Sequence, residues 1–152
     1  MKAVSLRQPW ATLVAIGAKR VVTWPWSTTF RGPLAIHASE KFSDEDRQWA
    51  LSTPACFAAL ARAGFDKRGF DLPLGSVVAT GLLMECVRIT DHLQTVEIAG
   101  AGDYRIPPDE PERTFGHYEA GRFAWILVNV RALPSPIPAS GALRLWEWPT
   151  GL

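Results

Sequence analysis

Apolar and polar positions alternate over residues 2–6, "KAVSL", a period-2 pattern that predicts a short strand with one covered face. The period then changes. In "QPWATLVAIGAK", Trp10, Leu13, Val14 and Gly17 recur at helical spacing, with Pro9 suited to the first helical position and Gly17 to the stop. "RVVTW" (20–24) and "GPLAIHA" (32–38) predict two more strands. Ser43 stands before three acids as a helix N-cap, and Pro54 should split residues 43–64 into two helical pieces. Residues 66–75 read as a Gly/Pro-punctuated loop. "SVVATGLLMECVRIT" (76–90) reads as a long strand with a bulge or bend at Gly81. Residues 100–121 carry many breakers and no period, and read as an ordered excursion. "RFAWILVNVRAL" (122–133) is the clearest strand, and a turn-rich run from Pro134 leads to a short final one.

Five or six strands with two or three helices, and only one βαβ alternation, predict an α+β fold that is mainly β. The expected architecture is a small, partly open β-barrel flanked by helices, not a doubly wound sheet. A length of 152 residues fits one domain, 1–152, with a core large enough to need no disulfide or structural metal. Net charge is +1, so any nucleic-acid or membrane binding must rest on a local patch. The opening apolar stretch is broken by Arg7, Gln8 and Pro9, and no run approaches the ~20 apolar residues of a membrane span. The expectation is a cytoplasmic protein with no membrane partner. Cys56 and Cys86 lack CxxC spacing and read as buried thiols, and His37, His92 and His117 are too scattered for zinc. No metal and no cofactor is expected. Seven tryptophans are a high load, and the pairs 24/26 and 146/148 have the spacing that puts two rings on one strand face.

Several of these segments resemble one family. The pieces are "SLRQPWA" (Ser5, Leu6, Gln8, Pro9, Trp10, Ala11), the turn Gly17-x-Lys19, "RGPLAIHAS" (31–39), and "FGHYEAGRFAWILVNVRALPSPIPASG" with the terminal "LWEW". They resemble the activating-signal-cointegrator homology (ASCH) domain, a relative of the PUA RNA-binding fold, over nearly the whole chain. The resemblance implies a PUA-like barrel with a cleft between the first helix and neighbouring strands. It also implies binding of nucleic acid or a nucleotide there; some members are ribonucleases, and one small type hydrolyses an acylated cytidine. The family's turn usually reads G-x-K-x-x-E-x-R. Here Lys19 stands, but Val22 replaces the acid and Trp24 the arginine. Valine neither takes a proton nor pairs a base, and tryptophan stacks or donates one N–H where arginine would fork onto phosphate.

The resulting candidate site has Lys19 as a phosphate contact or, less readily, a catalytic base. Trp24 and Trp26 are candidate stacking surfaces for a base. Trp10 borders the site or is core, and Gln8 either caps the helix or reads a base edge. Arg31, with Arg7 and Arg20, could form a local phosphate patch. His37 and Ser39 complete the ligand-contacting set, although a histidine flanked by apolar residues is more often a barrel-floor residue. No Ser–His–Asp spacing is evident, so Ser5 and Ser39 are not expected to be nucleophiles. Thr23 should point away from the site, and Glu85 and Glu119 are the candidate carboxylates. The leading expectation is binding of RNA, DNA or a modified nucleoside. The alternatives are an ASCH-type hydrolase and a protein-interaction domain whose old site is filled.

Overall fold

The computed structural model describes residues 1–67, 69–89, 95–98, 102–105 and 114–149. In chain order they form β1 (Lys2–Leu6), α1 (Trp10–Ala15), β2 (Val21–Trp24), β3 (Gly32–Ala38), α2 (Asp44–Ser52), α3 (Pro54–Arg62), β4 (Ser76–Arg88), β5 (Thr95–Ile98), β6 (Gly102–Arg105), β7 (Phe123–Pro138) and β8 (Leu145–Glu147). Six strands make one sheet in the order β2-β7-β4-β3-β1-β8, and β5 pairs with β6 apart from it. The molecule is an α+β fold, mainly β: a curled, partly open barrel with three helices on its flank.

Curvature comes from the long central pair. The β4–β7 register shifts three times, between Val77 and Ala79, Thr80 and Leu82, and Leu83 and Glu85. Each extra residue bends its strand and increases the local twist, which is how a sheet closes toward a barrel. The middle shift falls at Gly81, the position where the sequence calls for a bend. A Cβ there would lie 2.9 Å from Val130 Cγ2 and 3.2 Å from the Val128 carbonyl oxygen, so only glycine lets the two strands approach this closely.

Both ends of α1 are fixed by backbone chemistry. Leu13 N–H donates to the Pro9 carbonyl, and Gly17 takes φ +82° just past the last turn. Pro9 is therefore the residue before the first helical one rather than the first. Ser43 Oγ accepts from Asp46 N–H at 3.0 Å, the expected N-cap bond, and Pro54 opens α3 after α2 ends. Ala11 and Val14 of α1 pack on the inner face of the sheet against Leu34, Ile36 and Leu83, while Leu13 meets Leu60 of α3 and Phe115.

Two expectations change. β7 continues five residues past Leu133 through "PSPIP", where a turn was expected. Pro134, Pro136 and Pro138 alternate, so their missing N–H groups fall on one edge of the strand. β2 pairs with β7 only over Phe123–Ile126, so among the described residues no strand pairs with that edge at the three prolines. The second change is β6, Gly102–Arg105, which lies in the excursion read as having no period and pairs antiparallel with β5, Thr95↔Arg105 to Ile98↔Gly102. The rest of that excursion up to residue 113 lies outside the described residues.

Cys56 is buried, and its burial among apolar side chains pushes the thiol pKa up to about 11. Cys86 is half-buried, and neither cysteine is in a disulfide. Among the described residues there is no cluster of potential metal ligands, and no helix long and apolar enough to cross a membrane.

Candidate functional site

The ends of β1, β2 and β3, the start of α1, residues 114–117 and the turn between β7 and β8 enclose a cleft of about 1250 Å³. Trp24 and Trp26 line it together: their rings lie 5.3 Å apart at 35°, and both rest edge-on to the fully buried Trp125. The paired spacing in the sequence therefore does place both rings on one side, even though β2 stops at Trp24. Arg144, held at φ +57°, sets its guanidinium 5.0 Å from the Trp26 ring centre.

A second aromatic pair lines the same cleft. Trp10 stacks on Trp49 of α2 at 5.1 Å, with the Arg7 guanidinium 5.6 Å from the Trp10 ring. Arg7 in turn donates to Asp46 Oδ1 at 3.2 Å. Trp49 was not singled out from the sequence, because its neighbours "DRQ" and "ALS" mark only a helix. Its partner is 39 residues away.

Lys19 is 3% exposed and lines the cleft wall. Its Nζ donates to the Phe115 carbonyl at 2.7 Å, tying the turn after α1 to the segment that leads into β7. Val22 lines the same wall as apolar surface. Of the two candidate carboxylates, Glu85 is bound to Arg31 at 2.7 Å outside the cleft, and Glu119 pairs with His117 at 2.8 Å. Arg31 and the Cys86 N–H hold the Glu85 carboxyl below its ordinary value.

Other assignments move. Gln8 is fully buried and outside the lining: its Oε1 accepts from Thr12 N–H at 3.0 Å and its Nε2 donates to the Pro73 carbonyl at 2.8 Å. Both ends of the amide are used in holding α1 to the loop before β4. Arg31 is also outside, spent on Glu85 and on the carbonyls of Thr28, Phe30 and Cys86. Thr23, expected to face away, lines the cleft, and its Oγ1 accepts from His117 N–H at 3.0 Å. Arg122, overlooked in the sequence, lies beside it and donates to the Thr23 carbonyl at 3.2 Å. The Nε of Arg122 and the Nε1 of Trp24 have no hydrogen-bond partner among the described residues.

Ser39 and His37 both line the cleft. Ser39 Oγ meets Lys41 N at 3.4 Å. His37 Nδ1 is 2.9 Å from Ser5 Oγ, and its Nε2 is 2.7 Å from the Ala139 carbonyl oxygen. Ser5 and His37 are direct partners in the parallel β1–β3 ladder, so a pairing 32 residues apart in sequence is made by strand register.

Five lining residues are basic, Arg7, Lys19, Lys41, Arg122 and Arg144, against one carboxylate, Glu40. In a chain of net charge +1, five of the 16 Lys and Arg residues thus give one concavity a local positive excess. Comparison of the chain with protein-family models and with curated proteins gives no match.

Proposed function

We propose that this cleft binds a nucleic acid, RNA foremost, or a modified nucleoside. The observation that carries the reading is the joint lining: two tryptophan pairs and five basic side chains around one volume. A ligand suited to it has flat faces and negative charge, as nucleotides do. Base–aromatic stacking contributes roughly 1–3 kcal/mol per base, and basic side chains attract phosphate. The resemblance to the PUA-like ASCH domain supports the same reading, and two cysteines in no disulfide fit a reducing, cytoplasmic setting.

The hydrolase reading that rests on Lys19 draws little from the geometry. Val22 supplies no proton acceptor, and Glu85 is committed to Arg31. A filled, degenerate site is opposed by the cleft itself, because Trp24 and Trp26 pack on Trp125 and leave about 1250 Å³ open beside them.

Fluorescence-anisotropy titration of labelled RNA and DNA oligonucleotides tests the proposal. Arg144 is exposed, so Arg144→Glu reports on binding without disturbing the core, whereas Lys19→Ala removes a buried contact as well. The expected result is saturable binding by the wild type and at least a tenfold loss in both variants. No binding by any form, or equal binding by all three, rejects the site.

A further inference from the structure

The Ser5–His37 pair has a defined proton order. A carbonyl oxygen only accepts, so the His37 Nε2 facing Ala139 O carries the hydrogen. In the neutral ring Nδ1 is then an acceptor, and Ser5 must donate to it. At the other end Trp146 Nε1, which only donates, lies 3.1 Å from Ser5 Oγ. The chain therefore runs Trp146 N–H to Ser5 Oγ, Ser5 O–H to His37 Nδ1, and His37 Nε2–H to Ala139 O. The Trp146 ring also packs edge-on to the imidazole at 5.3 Å, which fixes its plane. This is a hydroxyl on a positioned base that is itself held by a third group.

The pair opens on the cleft. Ser5 and His37 both line it, and Gly141 of the β7–β8 turn faces them. A Cβ on Gly141 would lie 2.6 Å from Ser5 Oγ and 2.9 Å from His37 Nδ1, so glycine keeps a side chain off the hydroxyl.

We propose that Ser5 is a nucleophile and His37 its general base in the hydrolysis of a carboxylic ester bound in the cleft. Ser5 Oγ bonds to the acyl carbon as its proton passes to His37 Nδ1. The ester C–O bond breaks, and the leaving alkoxide takes that proton to depart as an alcohol. Water then adds to the acyl-Ser5 carbon, again giving its proton to Nδ1. The acyl–Oγ bond breaks, Ser5 regains the proton, and a carboxylic acid is released. The cleft that Ser5 and His37 line carries five Lys or Arg side chains to one carboxylate, a net positive field that favours the anionic intermediate of each addition. Ester rather than amide follows from the orienting group. A neutral carbonyl stabilises the imidazolium less than a carboxylate does, so the pair suits the better leaving group.

The folded protein is incubated with a fluorophosphonate probe, which phosphonylates activated serines, and with p-nitrophenyl butyrate. Intact mass and peptide mapping locate the adduct, and absorbance follows ester turnover. Expected are one adduct, on Ser5, and ester turnover. Ser5→Ala should remove both, and His37→Gln should slow both at least tenfold. Gly141→Ala, whose methyl presses on the Ser5 hydroxyl and the His37 ring, should depress both at least tenfold and lower the melting temperature somewhat, while an unchanged circular-dichroism spectrum at the assay temperature separates loss of reactivity from loss of fold. Absence of an adduct on the wild type, or an adduct that survives Ser5→Ala, overturns the proposal. Neither probe is a nucleotide, so this outcome is independent of the oligonucleotide titration.

Discussion

Single side chains in this molecule are assigned by what their polar atoms touch more than by their type. Gln8 and His37 are both nearly inaccessible polar residues in apolar surroundings. Gln8 spends both amide ends on backbone and has nothing left for a ligand, whereas His37 is bonded to a hydroxyl that borders the cleft. Arg31 is exposed and cationic, as a phosphate contact should be, yet its donors go to Glu85 and three carbonyls. That pairing has a measurable consequence. The Glu85 carboxyl is lowered by Arg31 first and by the Cys86 N–H second, from an ordinary value of 4.5. The unfolded chain therefore binds the proton more readily than the folded one, so the pair's stabilisation is present above pH 4.5 and fades as pH falls through the lowered value. Both side chains are partly exposed, so the contribution is about 0.2–1 kcal/mol. Glu85→Gln should lower the melting temperature at pH 7, with the gap to wild type closing at low pH in a thermal-denaturation series. A gap that is constant across pH would assign the effect to packing instead.

At the level of elements, the sheet is organised by a few positions that break its regularity. Gly81 is the clearest. Its absent side chain admits Val130 and the Val128 carbonyl at a register shift, and Asn129 at φ +53° lies opposite. Gly81→Ala should destabilise the fold by about 1–3 kcal/mol, the usual cost of overpacking, seen as a lower midpoint in urea. An unchanged midpoint would mean the strands separate freely there. A second irregularity, between Ile36 and His37 in the β3–β4 pairing, falls beside the imidazole, where bulges commonly re-aim a side chain. The three alternate prolines of β7 show the reverse lesson. Proline is a turn signal in isolation, but on an uncovered strand edge it costs no hydrogen bond.

Over the whole molecule, charge is distributed against the average. The chain is nearly neutral, yet the cleft lining carries five basic side chains to one acidic. If these contact phosphates of a single strand, each released counterion contributes a slope of about −0.7 in log K against log salt. A plot for single-stranded RNA should fall with a slope between about −2 and −3.5, and Arg144→Ala should make it shallower by about 0.7. A slope near zero would mean that stacking alone holds the ligand. The three helices lie on the flank of the sheet, and α1 and α2 contribute Trp10 and Trp49 to one wall of the cleft while β2 leads into the other with Trp24 and Trp26.

The sequence alone determined the strands through 38, the helix cap at Ser43, the break between two helices at Pro54, the bend at Gly81 and the mainly β class, because these follow from periodicity and local backbone preference. It also marked Lys19, Trp24 and Trp26, which do share a wall, since the turn after α1 keeps them within eight residues. What only the tertiary structure decided lies at long separation. Strand register put Ser5 beside His37, and packing of α2 on α1 put Trp49 on Trp10. Gln8 takes the capping place of its two readings through the Thr12 N–H, while its other amide end and the Arg31 guanidinium are engaged by the Pro73 carbonyl and Glu85, 65 and 54 residues away. Local rules read which element a residue joins, whereas its partners are set by how the sheet curls, and that depends on contacts no short window contains.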